Sequence, residues 1–209
     1  MKHERLGVAI CAETDYDSSM DRGGFIRKTC KRYNTPWDPH AMSFSCYHQQ
    51  PFLGKDRTRK YVATAVTQAR RKHGFDLWAY VVMPDHVHLL IFPSTQTYSI
   101  SKILQCVKQS VARKAVGYLR KHDPDGLVCL ATGQKHSPYR FWQDGGGYDR
   151  NVRSRQELLN TLDYIHMNPV KRGLVRRPEE WIWSSYRDWE GLGEGPIPID
   201  RESFLRSAM

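Results

Sequence analysis

Two histidines separated by a single residue are the side chains in this sequence best suited to chemistry. His86 and His88 flank Val87 in an apolar run that is typical of a β-strand. Because side chains alternate across a strand, both imidazoles are expected on one face, where two neutral rings can hold one cation. Two ligands leave coordination positions open, as a catalytic metal needs if it also holds a substrate oxygen. A chance pair of polar strand residues gives the same short pattern, so the spacing alone leaves both interpretations open.

A tyrosine on a later helix supplies the second chemical group. The buried stripe of that helix is predicted to consist of Leu158, Leu162 and Ile165. Tyr164 lies off this stripe, and Asn168 lies one turn further along the same side. The hydroxyl of Tyr164, a possible nucleophile, and the side-chain carbonyl of Asn168, a possible metal ligand, could therefore face the same site. An ordinary surface tyrosine, and an asparagine that only ends the helix before Pro169, are the alternatives that remain open.

The elements that must position these groups alternate between strands and helices. Strands are predicted, from length and composition, at 42–48, 75–83, 86–92, 127–130 and 139–144. The Pro84-Asp85 pair predicts a hairpin turn between two of them. Helical spacing predicts long helices over 56–72 and 99–121, the first stopped by Gly74. This order predicts an α+β fold in which helices cover an antiparallel sheet.

The tyrosine helix and the two ends of the chain complete this outline. Ser154 with Glu157 at capping-box spacing predicts the start of the helix, and the residue before Pro169 predicts its end near Met167. Residues 1–40 lack sustained periodicity and are interpreted as an irregular extension with a short helix near 26–33. The last segment, 178–209, is interpreted as an aromatic-rich tail, which Trp181 and Trp183 are predicted to pack onto the domain.

The charge balance and the apolar content limit the classes of partner. The 209 residues include 32 Lys and Arg against 22 Asp and Glu, a net charge of +10, with a sequence pI near 9.5. No acidic residue lies between Asp85 and Asp123. This pattern is typical of proteins that bind nucleic acid or another polyanion, although basic proteins with other partners are common. No apolar run approaches the ~20 residues of a membrane span, so no membrane partner and a cytoplasmic location are predicted.

The five cysteines add no site of their own. They are scattered, odd in number and never paired as CxxC. Neither a disulfide framework nor a zinc ribbon is indicated, and small buried or free thiols are expected.

Several longer motifs resemble those of the single-tyrosine HUH transposases, and in particular of their REP-associated branch. The resemblance spans roughly 42–189, with its motifs in the expected order. The matching segments are 83–90, 141–143, 148–150, 164–175 and 181–186. The first resembles the metal-binding signature of the family and the fourth its tyrosine helix, although Asp85 stands where asparagine is commoner. Several long motifs together are far more specific than the histidine pair alone.

The resemblance implies a ferredoxin-like antiparallel sheet flanked by helices, with the histidine pair on a central strand of a catalytic domain over 41–177. It implies Tyr164 as the nucleophile and His86, His88 and Asn168 as the ligands of Mg²⁺ or Mn²⁺. It also implies a metal-dependent strand transferase that forms a 5′-phosphotyrosine on single-stranded DNA with hairpins, such as REP-like palindromes. A monomer and a homodimer are both compatible with it.

Basic side chains are then predicted to contact the DNA backbone. They are Lys102, Arg113, Arg120, Lys171, Arg172, Arg176 and Arg177. Each of them alone is better explained as an ordinary solvated charge, and it is the acid-free interval that indicates a collective role in binding. Three other functions remain open: a domesticated hairpin-binding protein that does not cleave, a metal-dependent hydrolase that activates water, and an enzyme that acts on RNA.

Overall fold

A four-stranded antiparallel sheet forms the centre of the computed structural model, which describes residues 32–145 and 147–208. The chain builds it in the order β1 (His40–Ser45), α1 (Asp56–His73), β2 (Phe75–Val82), β3 (His86–Pro93), α2 (Ile100–His122) and β4 (Tyr148–Asn151). The strands lie side by side as β2-β3-β1-β4. This is the ferredoxin-like arrangement, so the predicted α+β fold is confirmed, with the histidine pair on a central strand.

One face of the sheet carries the main core. The inward side chains of the two central strands pack there against the apolar stripes of α1 and α2. The strand residues concerned are Met42, Phe44, Val87, Leu89 and Ile91. Each side chain of this size contributes about 1.5–3 kcal/mol when it is fully removed from water. This face therefore fixes the register of β1 and β3, because a slip of one residue would turn these side chains to the other face.

The other face is only partly covered. The helix α3 (Arg155–Lys171) packs Leu158 and Ile165 onto it, against a cluster that includes Leu90. The short helices α4 (Tyr186–Trp189) and α5 (Arg201–Ala208) complete that side. No helix in the described ranges is long and apolar enough to cross a membrane.

The segment after α3 is attached to β2 through aromatic side chains. Trp183 is buried in the main core, and the indole N–H of Trp181 donates to the carbonyl of Val82 at 3.2 Å. Ser185 is fully buried, and its hydroxyl accepts from the backbone N–H of Tyr80 at 3.0 Å. The tail is therefore hydrogen-bonded to β2, the edge strand of the sheet.

The long helices follow the sequence prediction closely. The start and end of α1 and α2 agree with it to within one residue, and Gly74 ends α1 with the predicted left-handed conformation (φ +62°). Ser154 caps α3 as predicted, because its hydroxyl accepts from the N–H of Glu157 at 3.2 Å. The helix predicted near 26–33 falls mostly outside the described residues.

Other predicted boundaries are wrong. Residues 124–130 form a 3-10 helix instead of a strand, and Tyr139 and Trp142 make only isolated bridges. The first strand covers His40–Ser45, and a short 3-10 helix follows it at Tyr47–Gln49. The helix α3 continues through Pro169 to Lys171, since burial of Asn168 and Pro169 outweighs the local preference against a helix before proline.

Candidate active site

The histidine pair lies on the partly covered face of the sheet. His86 and His88 alternate with Val87 on β3, so both imidazoles lie on the side of α3. Their ring centroids are 4.8 Å apart with the planes nearly perpendicular (87°). Ser43 and Ser45 of β1 pair with them across the strands and are small enough to leave space beside the rings. The face predicted from strand alternation is confirmed.

A carboxylate orients the first imidazole. The Nδ1 atom of His86 lies 2.7 Å from Oδ1 of Asp85. Burial acts to raise the pKa of Asp85, but the hydrogen bond and the charge of His86 outweigh it and hold this pKa below its ordinary value. An ionised carboxylate only accepts, so Nδ1 of His86 carries the hydrogen. With Nδ1 as the donor, the neutral form of the ring has its lone pair on Nε2, an arrangement common around metal-ligating histidines.

The second imidazole is neutral. Burial, followed by the charges of His86 and Arg172, lowers the pKa of His88 to about 3. The Nε2 atom of His88 lies 3.3 Å from Nδ2 of Asn168 on α3. Because an amide nitrogen can only donate, this contact gives His88 Nε2 the accepting lone pair. The Nε2 lone pair of His88 is thus held by the amide of Asn168, and a cation bound there would replace this hydrogen bond.

The amide of Asn168 contains an unsatisfied oxygen. Asn168 is buried, and its Oδ1 has no hydrogen-bond partner among the described residues. An unpaired buried acceptor is costly, and a bound cation would remove that cost. No three His, Cys, Asp or Glu side chains gather into a metal site in the described part of the chain. The amide oxygen of Asn168 is a candidate third ligand beside the two imidazoles. His86, His88 and Asn168 fit a cation such as Mg²⁺ or Mn²⁺.

Tyr164 projects from α3 beside the histidines. Its ring meets that of His88 edge to face, with centroids 5.3 Å apart. It is 47% exposed, and its hydroxyl has no partner in the regions described. The Nζ atom of Lys171, two turns later, lies 5.2 Å from the ring centroid. The phenol is therefore open to solvent and close to both the candidate metal site and a fixed positive charge.

A cleft of about 470 Å³ extends from this point between α3 and the strands β1 and β4. We call it the β1–β4 cleft. His88 and Tyr164 lie at one side of it, and Tyr148 and Arg150 at the other. Asn160 lines it from α3. Sequence reasoning did not identify these last three residues as part of a site, although 148–150 lay in a matching motif and Asn160 is one turn before Tyr164.

The predicted DNA-binding residues fall into two groups. Lys171 and Arg172 lie at the end of α3 next to the site, and the charge of Arg172 acts on both Asp85 and His88. Arg176 and Arg177 follow in the next loop, where Arg177 pairs with Glu179 and Glu180. The other three lie on α2, which packs against the opposite face of the sheet: Lys102, Arg113 and Arg120. The structure thus brings four of the seven close to the end of α3.

Comparisons with known proteins agree on one family. Residues 37–168 match the family described as "Transposase IS200 like". A REP-associated tyrosine transposase of Escherichia coli (strain K12) is 26% identical over 137 residues, which cover 65% of this chain and 68% of that protein. A solved structure of a REP-associated tyrosine transposase bound to a REP hairpin has a TM-score of 0.60 at 20% identity, and the match covers 82% of this chain and 91% of the other. The solved structure supports the fold, and the matched family covers the segments that carry both histidines, the tyrosine and the asparagine.

Proposed function

The chain belongs to the IS200-like transposase family, whose members cleave and rejoin DNA, and from that premise we propose that it does so on hairpin-bearing single strands through a covalent bond to Tyr164. The observation that carries this proposal is the convergence of β3 and α3. An exposed phenol contacts His88, and the amide of Asn168, whose oxygen has no partner among the described residues, lies beside the same imidazole. A nucleophile and a metal site are therefore available to the same phosphate.

The reaction is a pair of transesterifications. The Oη atom of Tyr164 attacks the scissile phosphorus and loses its proton, while the bond from phosphorus to the 3′ oxygen breaks and that oxygen takes up a proton. The products are a 5′-phosphotyrosine and a free 3′-hydroxyl, and attack by a 3′-hydroxyl reverses the step. When bound to His86, His88 and Asn168, Mg²⁺ or Mn²⁺ supplies positive charge that polarises a non-bridging phosphate oxygen. The number of phosphodiester bonds is unchanged, so no nucleotide cofactor is required.

Positive side chains assist the tyrosine. An ordinary phenol is almost fully protonated at neutral pH, so attack needs help in forming the phenolate. The ammonium group of Lys171, 5.2 Å from the ring centroid, favours the negative charge that develops on Tyr164. Arg172 adds a second positive charge beside the histidines, where a phosphate would lie.

The single-stranded, hairpin-bearing substrate is supported by the relatives and by the shape of the site. The solved relative is bound to a REP hairpin. In this chain, the exposed basic residues after Tyr164 can hold the DNA backbone, and the open cleft beside Tyr164 admits a flexible strand. We expect binding to weaken with salt in proportion to the number of phosphates neutralised.

The test is covalent capture of DNA. The protein is incubated with Mn²⁺ and labelled hairpin-bearing single strands from its own genomic flanks, and denaturing gels show any adduct. Tyr164→Phe removes only the nucleophilic oxygen, so we expect the adduct to be lost while the unfolding free energy stays the same. His86→Ala is expected to lose the adduct as well, because it removes a metal ligand. Tyr118→Phe on α2 is the matched control and is expected to form the adduct normally.

Other outcomes point to the alternative functions. Cleavage that survives Tyr164→Phe would make water the nucleophile and would refute the covalent mechanism. Tight hairpin binding without an adduct in any divalent metal would identify a binding protein that does not cleave.

A further inference from the structure

The β1–β4 cleft extends beyond Tyr164 and His88 to Tyr148 and Arg150 on β4. Its origin lies in the small side chains of β1 on this face of the sheet. Ser43 stands between His88 of β3 and Tyr148 of β4, in register with both. Ala41 stands in the same way between Leu90 and Arg150. A central strand with small residues between two larger neighbours leaves a trough whose floor is β1.

An aromatic ring with no stacking partner forms the far wall of this trough. Tyr148 is 56% exposed, and its ring makes no aromatic or cation contact with any residue that the structure describes. The position of its strand is fixed by Gly147, where a side-chain carbon would lie 2.4 Å from the carbonyl oxygen of Ser43 and where φ is +72°. Because a glycine stands here, β4 can approach β1 closely, and this approach places the ring of Tyr148 beside the floor of the trough.

Polar groups line the remaining sides. The Oδ1 atom of Asn160 accepts from Gln156 at 2.9 Å, which leaves its NH₂ group without a partner among the described residues. The guanidinium of Arg150 is held by Glu157 at 2.8 Å, so its position is fixed before any ligand binds. A floor of small side chains, one free aromatic face and a few placed donors are typical of a small-molecule or base pocket. The volume of about 470 Å³ exceeds the lower range of such sites, roughly 300 Å³.

We propose that the β1–β4 cleft binds one unstacked nucleobase of the DNA strand, next to the phosphate that Tyr164 attacks. Tyr148 stacks on the face of the base, while the NH₂ group of Asn160 and the guanidinium of Arg150 donate to its edge. Bases in single strands are recognised in this way, by stacking together with hydrogen bonds to the exposed edge. This inference rests on the proposed function, which identifies the bound strand as the DNA cleaved at Tyr164. It adds that the protein itself, through this cleft, determines which base is preferred beside the cleavage point.

The first experiment needs no cleavage. The backbone amide signals of the full chain are followed by NMR while each of the four deoxynucleoside 5′-monophosphates is added. We expect saturable shifts at Ser43, Tyr148 and Asn160 that differ among the four bases. Tyr148→Leu is expected to weaken binding about 10- to 100-fold, the range of one base–aromatic stack. Tyr148→Phe keeps the ring and is expected to retain the affinity.

The outcomes of this titration are decisive. Equal shifts with the base-free deoxyribose 5-phosphate would overturn the proposal, because the site would then bind only phosphate. Unchanged affinity in Tyr148→Leu would overturn it too, because no base would stack on that ring. Saturable, base-dependent shifts that require the ring support it, even if Tyr164 forms no adduct on any DNA. Failure of the proposed function and failure of the base pocket are therefore distinguishable.

The second experiment measures base preference during cleavage. Hairpin substrates that carry each of the four bases at the two positions flanking the cleavage point are compared by their rate of adduct formation. We expect the protein to prefer one base at one of these positions, and Asn160→Ala to reduce the ratio of rates between the preferred base and the others about 10-fold. Equal rates for all four bases at both positions in the unmodified protein would contradict the assignment.

Discussion

The strand β1 contributes large side chains to one face of the sheet and small ones to the other. On β1, Met42 and Phe44 point towards α1 and α2 and are almost completely buried. Ala41, Ser43 and Ser45 alternate with them and point towards α3, where space remains beside the histidines. The covered face thus contains the large apolar side chains, and the open face contains small ones next to polar groups.

The two faces of β1 therefore have different roles: one stabilises the fold, and the other borders the candidate active site. The covered face provides the apolar burial that fixes the register of the strands. The open face contains a neutral, half-buried imidazole and an amide oxygen without a partner among the described residues, and the oxygen costs free energy when no ligand binds it. Changes on the first face should therefore unfold the protein, and changes on the second should alter what it binds.

The largest expected effect comes from two neighbouring residues on opposite faces. Phe44→Ala removes a buried ring that packs edge to face on Trp142 at 5.0 Å, so we expect the free energy of unfolding to fall by about 3–5 kcal/mol. Ser43→Ala, one residue earlier, should change it by less than about 0.5 kcal/mol. Chemical denaturation of both variants measures this difference. Similar losses in the two would mean that both faces contribute equally to stability.

A glycine pair tests how β4 is held at the edge of the open face. Both Gly145 (φ +83°) and Gly147 (φ +72°) have left-handed backbones, but only the second has a close neighbour, the carbonyl of Ser43. We expect Gly145→Ala to cost about 1–2 kcal/mol from the backbone conformation alone. Gly147→Ala should cost clearly more, because the clash is with backbone that cannot move aside. Thermal or chemical unfolding compares them, and equal losses would show that the close approach is not needed.

Only a small change in stability is expected at Asn168, where the affinity for metal should change instead. With metal removed by a chelator, Asn168→Ala should alter the free energy of unfolding by less than about 1 kcal/mol, since the loss of the hydrogen bond to His88 is offset by removal of a buried acceptor without a partner among the described residues. Its affinity for Mn²⁺ should fall about 10- to 100-fold. The metal concentration needed to raise the unfolding midpoint reports this affinity.

Gln156→Ala, an amide elsewhere on α3, is the matched control and should respond to Mn²⁺ normally. Stabilisation of Asn168→Ala by Mn²⁺ at the concentrations that stabilise the unmodified protein would remove Asn168 from the ligand set.

The sequence was informative wherever a local pattern also determines the structure. Alternation on β3 predicted the shared face of His86 and His88, and helical spacing predicted the shared side of Tyr164 and Asn168. The helix ends were predicted closely where a glycine or a serine cap stops the backbone, as at Gly74 and Ser154. In these cases the physical cause lies within a few residues of its effect.

Long-range features could not be predicted in this way. β4 is a short edge strand of mostly polar residues, with Asp149 and Arg150 at its centre, and its pairing comes from the backbone of β1. The contact between His88 and Asn168 joins residues 80 positions apart and depends on how α3 crosses the sheet. The role of Asp85 depends on its distance from Nδ1 of His86, whereas its place in the sequence indicated only a turn.

The position of Tyr164 and Asn168 on one helix links two equilibria. They are one turn apart, about 6 Å along the axis, on a helix that is continuous through Pro169. In the proposed mechanism, a shift of α3 would move the nucleophile and the amide together, so a displaced helix would also hold the metal less tightly. By thermodynamic reciprocity, a strand that draws Tyr164 into place raises the affinity for the cation by the same factor as the cation raises the affinity for the strand. Metal titrations with and without DNA would then report the position of this helix.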